Sequence, residues 1–121
     1  MAKIYEQFQY CLIKKLTQIY LEVSIGAAGA PTLVSGNGIS GIVRDSAGVY
    51  TVTFTEIFPK FIMAKIMQLA AASEDLAFQL LDVDLVAKTI QFSCKDSAAA
   101  ETDPSNGSSL FIELSFSQST L

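Results

Sequence analysis

Residues 35–54 read SGNGISGIVRDSAGVYTVTF, and this stretch decides the fold. Tyr50, Val52 and Phe54 alternate with Thr51, Thr53 and Thr55, so an extended chain here turns apolar groups one way and hydroxyls the other. Just before it stands the turn DSAG at residues 45–48. Asp45 can accept a hydrogen bond from the backbone two residues on, and Gly48 can adopt positive φ at little cost. The stretch predicts a hairpin of two strands, residues 39–44 and 49–55.

The same alternation extends outward. Ile19, Leu21, Val23 and Ile25 alternate with Tyr20, Glu22 and Ser24, the pattern of a half-buried strand, and GAAGAP at residues 26–31 ends it. A short strand at residues 32–34 runs into SGNG. Downstream, residues 58–64 predict a turn around Pro59 with a single helical turn after it. KIMQLAAA at residues 65–72 fits strand or helix and is assigned to strand because its neighbours are strands. Residues 78–83 and 89–94 predict a second hairpin around LVAK, with Ile90, Phe92 and Cys94 on one face. The polar run KDSAAAETDPSNGSS, residues 95–109, holds the turn dipeptides Asp103-Pro104 and Asn106-Gly107 and predicts an irregular exposed loop. In the last strand, residues 110–116, Leu110, Ile112, Leu114 and Phe116 share a face. Fully buried they contribute on the order of 6–12 kcal/mol. A one-residue slip would move all four into water, so the register must be fixed.

About seven or eight short strands without a βαβ rhythm predict a mainly β protein, an antiparallel, jelly-roll-like β-sandwich over residues 19–121. Residues 1–18 stand before it. There Ile4, Phe8, Leu12 and Leu16 recur every four residues, as on a helix face, while Phe8, Tyr10 and Leu12 also alternate. The segment fits a short helix or an extended arm.

With 121 residues the chain can bury a core as one domain. Half its residues are hydrophobic and 17% are charged, against roughly 25% in an average soluble domain, so part of its surface is expected to be covered. A net charge of −4 with scattered cations argues against nucleic acid. The start lacks the marks of a signal peptide, and Lys60, Lys65 and Gln68 interrupt the best apolar run, so a protein made in the cytoplasm with no membrane span is expected. Cys11 and Cys94 suit no metal knuckle or CxxC pair and are expected as two buried thiols.

Chemistry-bearing groups are few. The chain has no histidine, which excludes Ser-His and Cys-His nucleophiles. Asp82 and Asp84 flank Val83 and project from one face of a strand. Such a pair can bind a cation or share a proton, but solvated charges opposite Leu81, Val83 and Leu85 account for them as well. Asp96, Glu101 and Asp103 crowd the long loop without EF-hand spacing. GNGISG, residues 36–41, has the letters of GxGxxG but precedes a strand, so no helix N-terminus is there to receive phosphate. The threonine row fits the outer face of a strand. No enzymatic activity, cofactor or metal is expected.

Three blocks carry a resemblance: VSIGAAGAPTL (residues 23–33), GISGIVRDSAGVYTVTF (38–54) and TDPSNGSSLFIELSFSQS (102–119). In this order the chain resembles a group of small β-rich virion proteins of tailed bacteriophages. They run from a strand through a Gly-Ala-Pro turn to an Arg-bearing hairpin, and close with an Asp-Pro-x-x-Gly loop and a final alternating strand. The likeness spans residues 19–119 and is concentrated in the three blocks. It implies a head decoration (cement) protein on the capsid surface, a homo-oligomer, commonly a trimer, whose partner is the major capsid protein. Ile4, Tyr5, Phe8 and Leu12 are the candidate contacts to capsid or neighbouring subunits. Two other readings are a tail-fibre or baseplate domain contacting a receptor through residues 95–109, and a metal-assisted hydrolase built on Asp82 and Asp84.

Overall fold

Among the described residues eight strands form in chain order: β1 Leu16–Ile25, β2 Pro31–Gly36, β3 Ile39–Ser46, β4 Val49–Phe54, β5 Lys60–Leu69, β6 Ala77–Asp84, β7 Thr89–Lys95 and β8 Ser109–Ser117. The structure, a computed structural model, describes residues 16–71 and 74–117. The strands make two four-stranded antiparallel sheets, ordered β2-β1-β8-β5 and β3-β4-β7-β6. Hairpins join β1 to β2, β3 to β4 and β6 to β7. The long-range pairs β1–β8 and β4–β7 wrap the chain into the sandwich that the alternation predicts.

The two inner faces build the core. Leu110, Leu114 and Phe116 of β8 are at most 1% exposed, and Ile112 is nearly as well covered. The central strand is thus in the register that its alternation requires. Phe116 stacks on Phe58 at 4.4 Å between ring centroids and meets Phe54 at 5.0 Å and Phe61 at 5.8 Å. From the other sheet Tyr50 stacks on Phe92 at 5.6 Å. Val23, Val52 and Ile90 belong to the same buried cluster, and Cys94 is buried as well.

Gly48 takes positive φ as expected, +72°, but the turn is tighter than the expected Asp45–Gly48: β3 runs on to Ser46, and the Asp45 carboxylate accepts from Thr51 and Gln91 rather than from the turn backbone. An added Cβ on Gly48 would lie 2.6 Å from the Thr102 nitrogen and 2.7 Å from the Cys94 carbonyl oxygen, so glycine is required by space as well as by backbone angle.

Three further local expectations are corrected. No helical turn follows Pro59: β5 runs from Lys60 to Leu69 and pairs with β8 from Ser117 to Ser109, so a full ladder outweighs local helix preference. β1 spans Leu16–Ile25, so residues 16–18 belong to the sheet rather than to the preceding segment, and Leu16 is a strand residue rather than part of a helix face. Leu81 faces solvent instead of lying inside with Val83, because a bulge between Leu80 and Asp82 shifts the alternation. Residues 1–15, which include Ile4, Tyr5, Phe8, Cys11 and Leu12, lie outside the described residues.

Candidate interaction surface

Polar side chains gather at one end of the sandwich, where the β1–β2 turn, the β3–β4 turn and the loop before β8 meet. The Asp103 carboxylate accepts two hydrogen bonds from Arg44, from Nε at 3.0 Å and from Nη2 at 2.8 Å. It also accepts the Gly48 N–H at 2.7 Å and the Tyr50 hydroxyl at 3.2 Å. Tyr50 is buried, and its hydroxyl lies 2.9 Å from the Gly29 carbonyl oxygen, which accepts from it. Burial pushes the Asp103 carboxyl up, but the bonds from Arg44, Gly48 and Tyr50 outweigh it and hold it below the usual carboxylate range. Burial, then the Asp103 charge, drives the Tyr50 hydroxyl far above its usual range. These bonds tie three chain segments together. The cluster is a fastening.

Much of the long loop is fastened too. Asp96 accepts from the Ala98 and Ala100 N–H groups and from the Thr102 hydroxyl, which closes a turn and lowers its carboxyl, the Ala100 bond contributing most. Glu74 accepts the Ser105 N–H, and the buried Ser108 hydroxyl accepts the Ala71 N–H. Asp96, Glu101 and Asp103 therefore do not converge, and among the described residues no group of three His, Cys, Asp or Glu could hold a metal ion. Asp84 accepts the Val86 and Ala87 N–H groups and shapes the β6–β7 turn, while Asp82 is exposed on the outer face with Thr89 and Gln91 nearby in register. Cys94 carries a free, buried thiol that burial pushes up to about 12. Among the described residues no helix is long and apolar enough to cross a membrane.

The two outer faces differ sharply. Outside the β3-β4-β7-β6 sheet the register sets Thr51 beside Gln91 and Thr53 beside Thr89, with Asp84 beyond Thr89 on β6. Asp45 accepts from the Thr51 hydroxyl and from Gln91, so the middle of this face is hydrogen-bonded and polar, with Val43 exposed beside Thr51 on the edge strand β3. Outside the β2-β1-β8-β5 sheet the same geometry presents Tyr20, Met67, Leu69 and Phe111, exposed by 60%, 72%, 64% and 42%. Leu16, Val34 and Met63 extend this exposed apolar set. Singly such residues mean little, but grouped on one sheet they mark a contact surface.

An open groove of about 330 Å³ crosses that face, lined among others by Tyr20, Glu22, Ser35, Lys65, Met67 and Phe111. Glu113 sits in its middle, in register between Tyr20 of β1 and Lys65 of β5. It accepts from the Gln18 amide at 3.0 Å, and Gln18 in turn accepts the Tyr20 hydroxyl at 3.1 Å. This chain of bonds links Tyr20 to Glu113 along the groove. No protein-family model, curated protein or solved structure matches this chain.

Sequence reasoning missed both features. Arg44 and Asp103 are 59 residues apart, and nothing local in either segment announces the pairing. The outer face had a signal in β5, where KFIMAKIMQL is apolar at both alternations, a strand with two greasy sides.

Proposed function

We propose that this chain is a non-enzymatic structural component of a tailed-phage virion, a head decoration protein. It is made in the host cytoplasm and binds the outer capsid lattice. Its partners are the major capsid protein and further copies of itself, and the trimer is the number that the family resemblance implies. The observation that carries the reading is the grouping of Tyr20, Met67, Leu69 and Phe111 on the outer face of the β2-β1-β8-β5 sheet of a tightly fastened sandwich. Such a body offers rigid shape and greasy area, which is what adhesion between subunits uses. A protein that binds only the assembled lattice stabilises it by mass action, by about 2.7 kcal/mol per site at a free concentration one hundred times Kd.

Quantitative mass spectrometry of particles from cells carrying the gene tests this. Hundreds of copies per particle support the head assignment. A handful points to a tail fibre or baseplate, and none overturns the virion reading altogether.

A further inference from the structure

We infer that Asn37 is a site of spontaneous covalent modification, at which the side-chain amide is lost as ammonia and the link to Gly38 rearranges, and that the fold shields Asn106 from the same reaction. The inference does not depend on the virion reading.

The chain has two asparagines, and a glycine follows each: Asn37-Gly38 and Asn106-Gly107. In such a pair the glycine nitrogen, after giving its proton to hydroxide, attacks the asparagine Cγ, because glycine has no side chain to block the approach. A C–N bond forms and the bond from Cγ to Nδ2 breaks. The departing nitrogen takes a proton from water, leaves as ammonia and returns the hydroxide. Water then opens the ring at either carbonyl, giving aspartate or isoaspartate. Ammonia is exchanged for water, and nothing is oxidised or reduced.

Both pairs are exposed and each occupies a two-residue turn, at 37–38 and at 106–107. Hydrogen bonding separates them. The Gly107 N–H donates to the Ile25 carbonyl at 2.8 Å. Ser108 beyond it donates its N–H to the Ser105 carbonyl at 3.1 Å and accepts the Ile25 N–H at 2.8 Å. The nitrogen that must attack is thus held against the end of β1, and the turn must open before that nitrogen can reach the Asn106 amide. At the other pair, neither the Asn37 side chain nor the Gly38 N–H has a hydrogen-bond partner among the described residues. The nearest anchor is the Gly38 carbonyl, which accepts the Thr55 N–H at 2.9 Å and lies beyond the reacting link.

Position gives the change its consequence. Only Asn37 and Gly38 separate β2 from β3, and these strands lie in different sheets. Gly36 is in register with Leu21 and Ile39 with Phe54. Isoaspartate therefore sets an extra main-chain carbon and a new carboxylate into a connection fixed at both ends.

The test holds the full chain folded in mildly alkaline buffer, with circular dichroism to follow the fold, and samples it for peptide mass spectrometry after chromatographic separation of isoaspartyl forms. Conversion at Asn37 is expected to outrun conversion at Asn106 by at least about tenfold. In guanidinium-unfolded chain the two rates are expected to converge, which assigns the difference to the fold rather than to flanking residues. Comparable rates in the folded chain overturn the inference, as do faster conversion at Asn106, an Asn37 that stays intact in the folded chain, and a bias that persists after unfolding.

Discussion

Replacing Asp103 by alanine removes the carboxylate on which the β3–β4 turn, the loop before β8 and the Tyr50 hydroxyl converge. Two of its bonds involve buried or half-buried donors, the Gly48 N–H at 2.7 Å and the Tyr50 O–H at 3.2 Å. A bond to a charged acceptor is worth about 1.5–3 kcal/mol, and Tyr50 keeps its second partner in the Gly29 carbonyl. The loss therefore sums to about 3 kcal/mol, without counting Arg44, whose guanidinium stays solvated. Against a net stability of about 5–15 kcal/mol this is a large fraction. In urea, with a slope of about 2 kcal/mol per molar, the midpoint falls by about 1.5 M. Asp103→Asn keeps an acceptor oxygen and loses the charge, so it falls in between. The pH dependence follows from the direction of the shift. The folded carboxyl titrates below its unfolded value of about 3.9, so its contribution is complete above about pH 5 and disappears as pH falls through the folded value. The gap between wild type and Asp103→Ala must narrow in that acid window, toward the gap that separates Asp103→Asn from Asp103→Ala. A midpoint change under about 0.3 M at pH 7, or a gap that does not shrink below the window, refutes the fastening role.

Three further outcomes are expected. Phe116→Ala empties the ring cluster with Phe54, Phe58 and Phe61 and costs about 3–5 kcal/mol by denaturant titration. Ser93→Ala, at a fully buried hydroxyl without a hydrogen-bond partner among the described residues, leaves stability unchanged or raises it by about 1 kcal/mol in the same titration. In a Cys11→Ser background the Cys94 thiol, buried and pushed up to about 12, resists a thiol reagent at pH 8 until the protein unfolds.

Alternation made the core legible. Ile19 to Ile25, Tyr50 to Phe54, Ile90 to Cys94 and Leu110 to Phe116 each place their apolar sets inside, because a half-buried strand has a period of two and little else competes. Alternation failed at Leu81, where a bulge shifts the count by one, and after Pro59, where a nonlocal ladder decides the conformation. The Asp103 cluster was illegible for a different reason. Asp103 reads locally as half of an Asp-Pro turn, and only the closure of the sandwich sets it against Arg44 and Tyr50. The outer face was half legible: Tyr20 and Glu22 read as solvent-side partners of a buried row, but their neighbours Phe111 and Met67 come from strands far away in sequence.

A cryo-electron map of the intact particle from cells carrying the gene tests the central claim most directly. The map should show the domain in many copies, with the outer face of the β2-β1-β8-β5 sheet covered by protein and the threonine-bearing face of the other sheet turned to solvent. A particle without the domain, or one that displays it with Tyr20, Met67 and Phe111 bare to water, contradicts the claim.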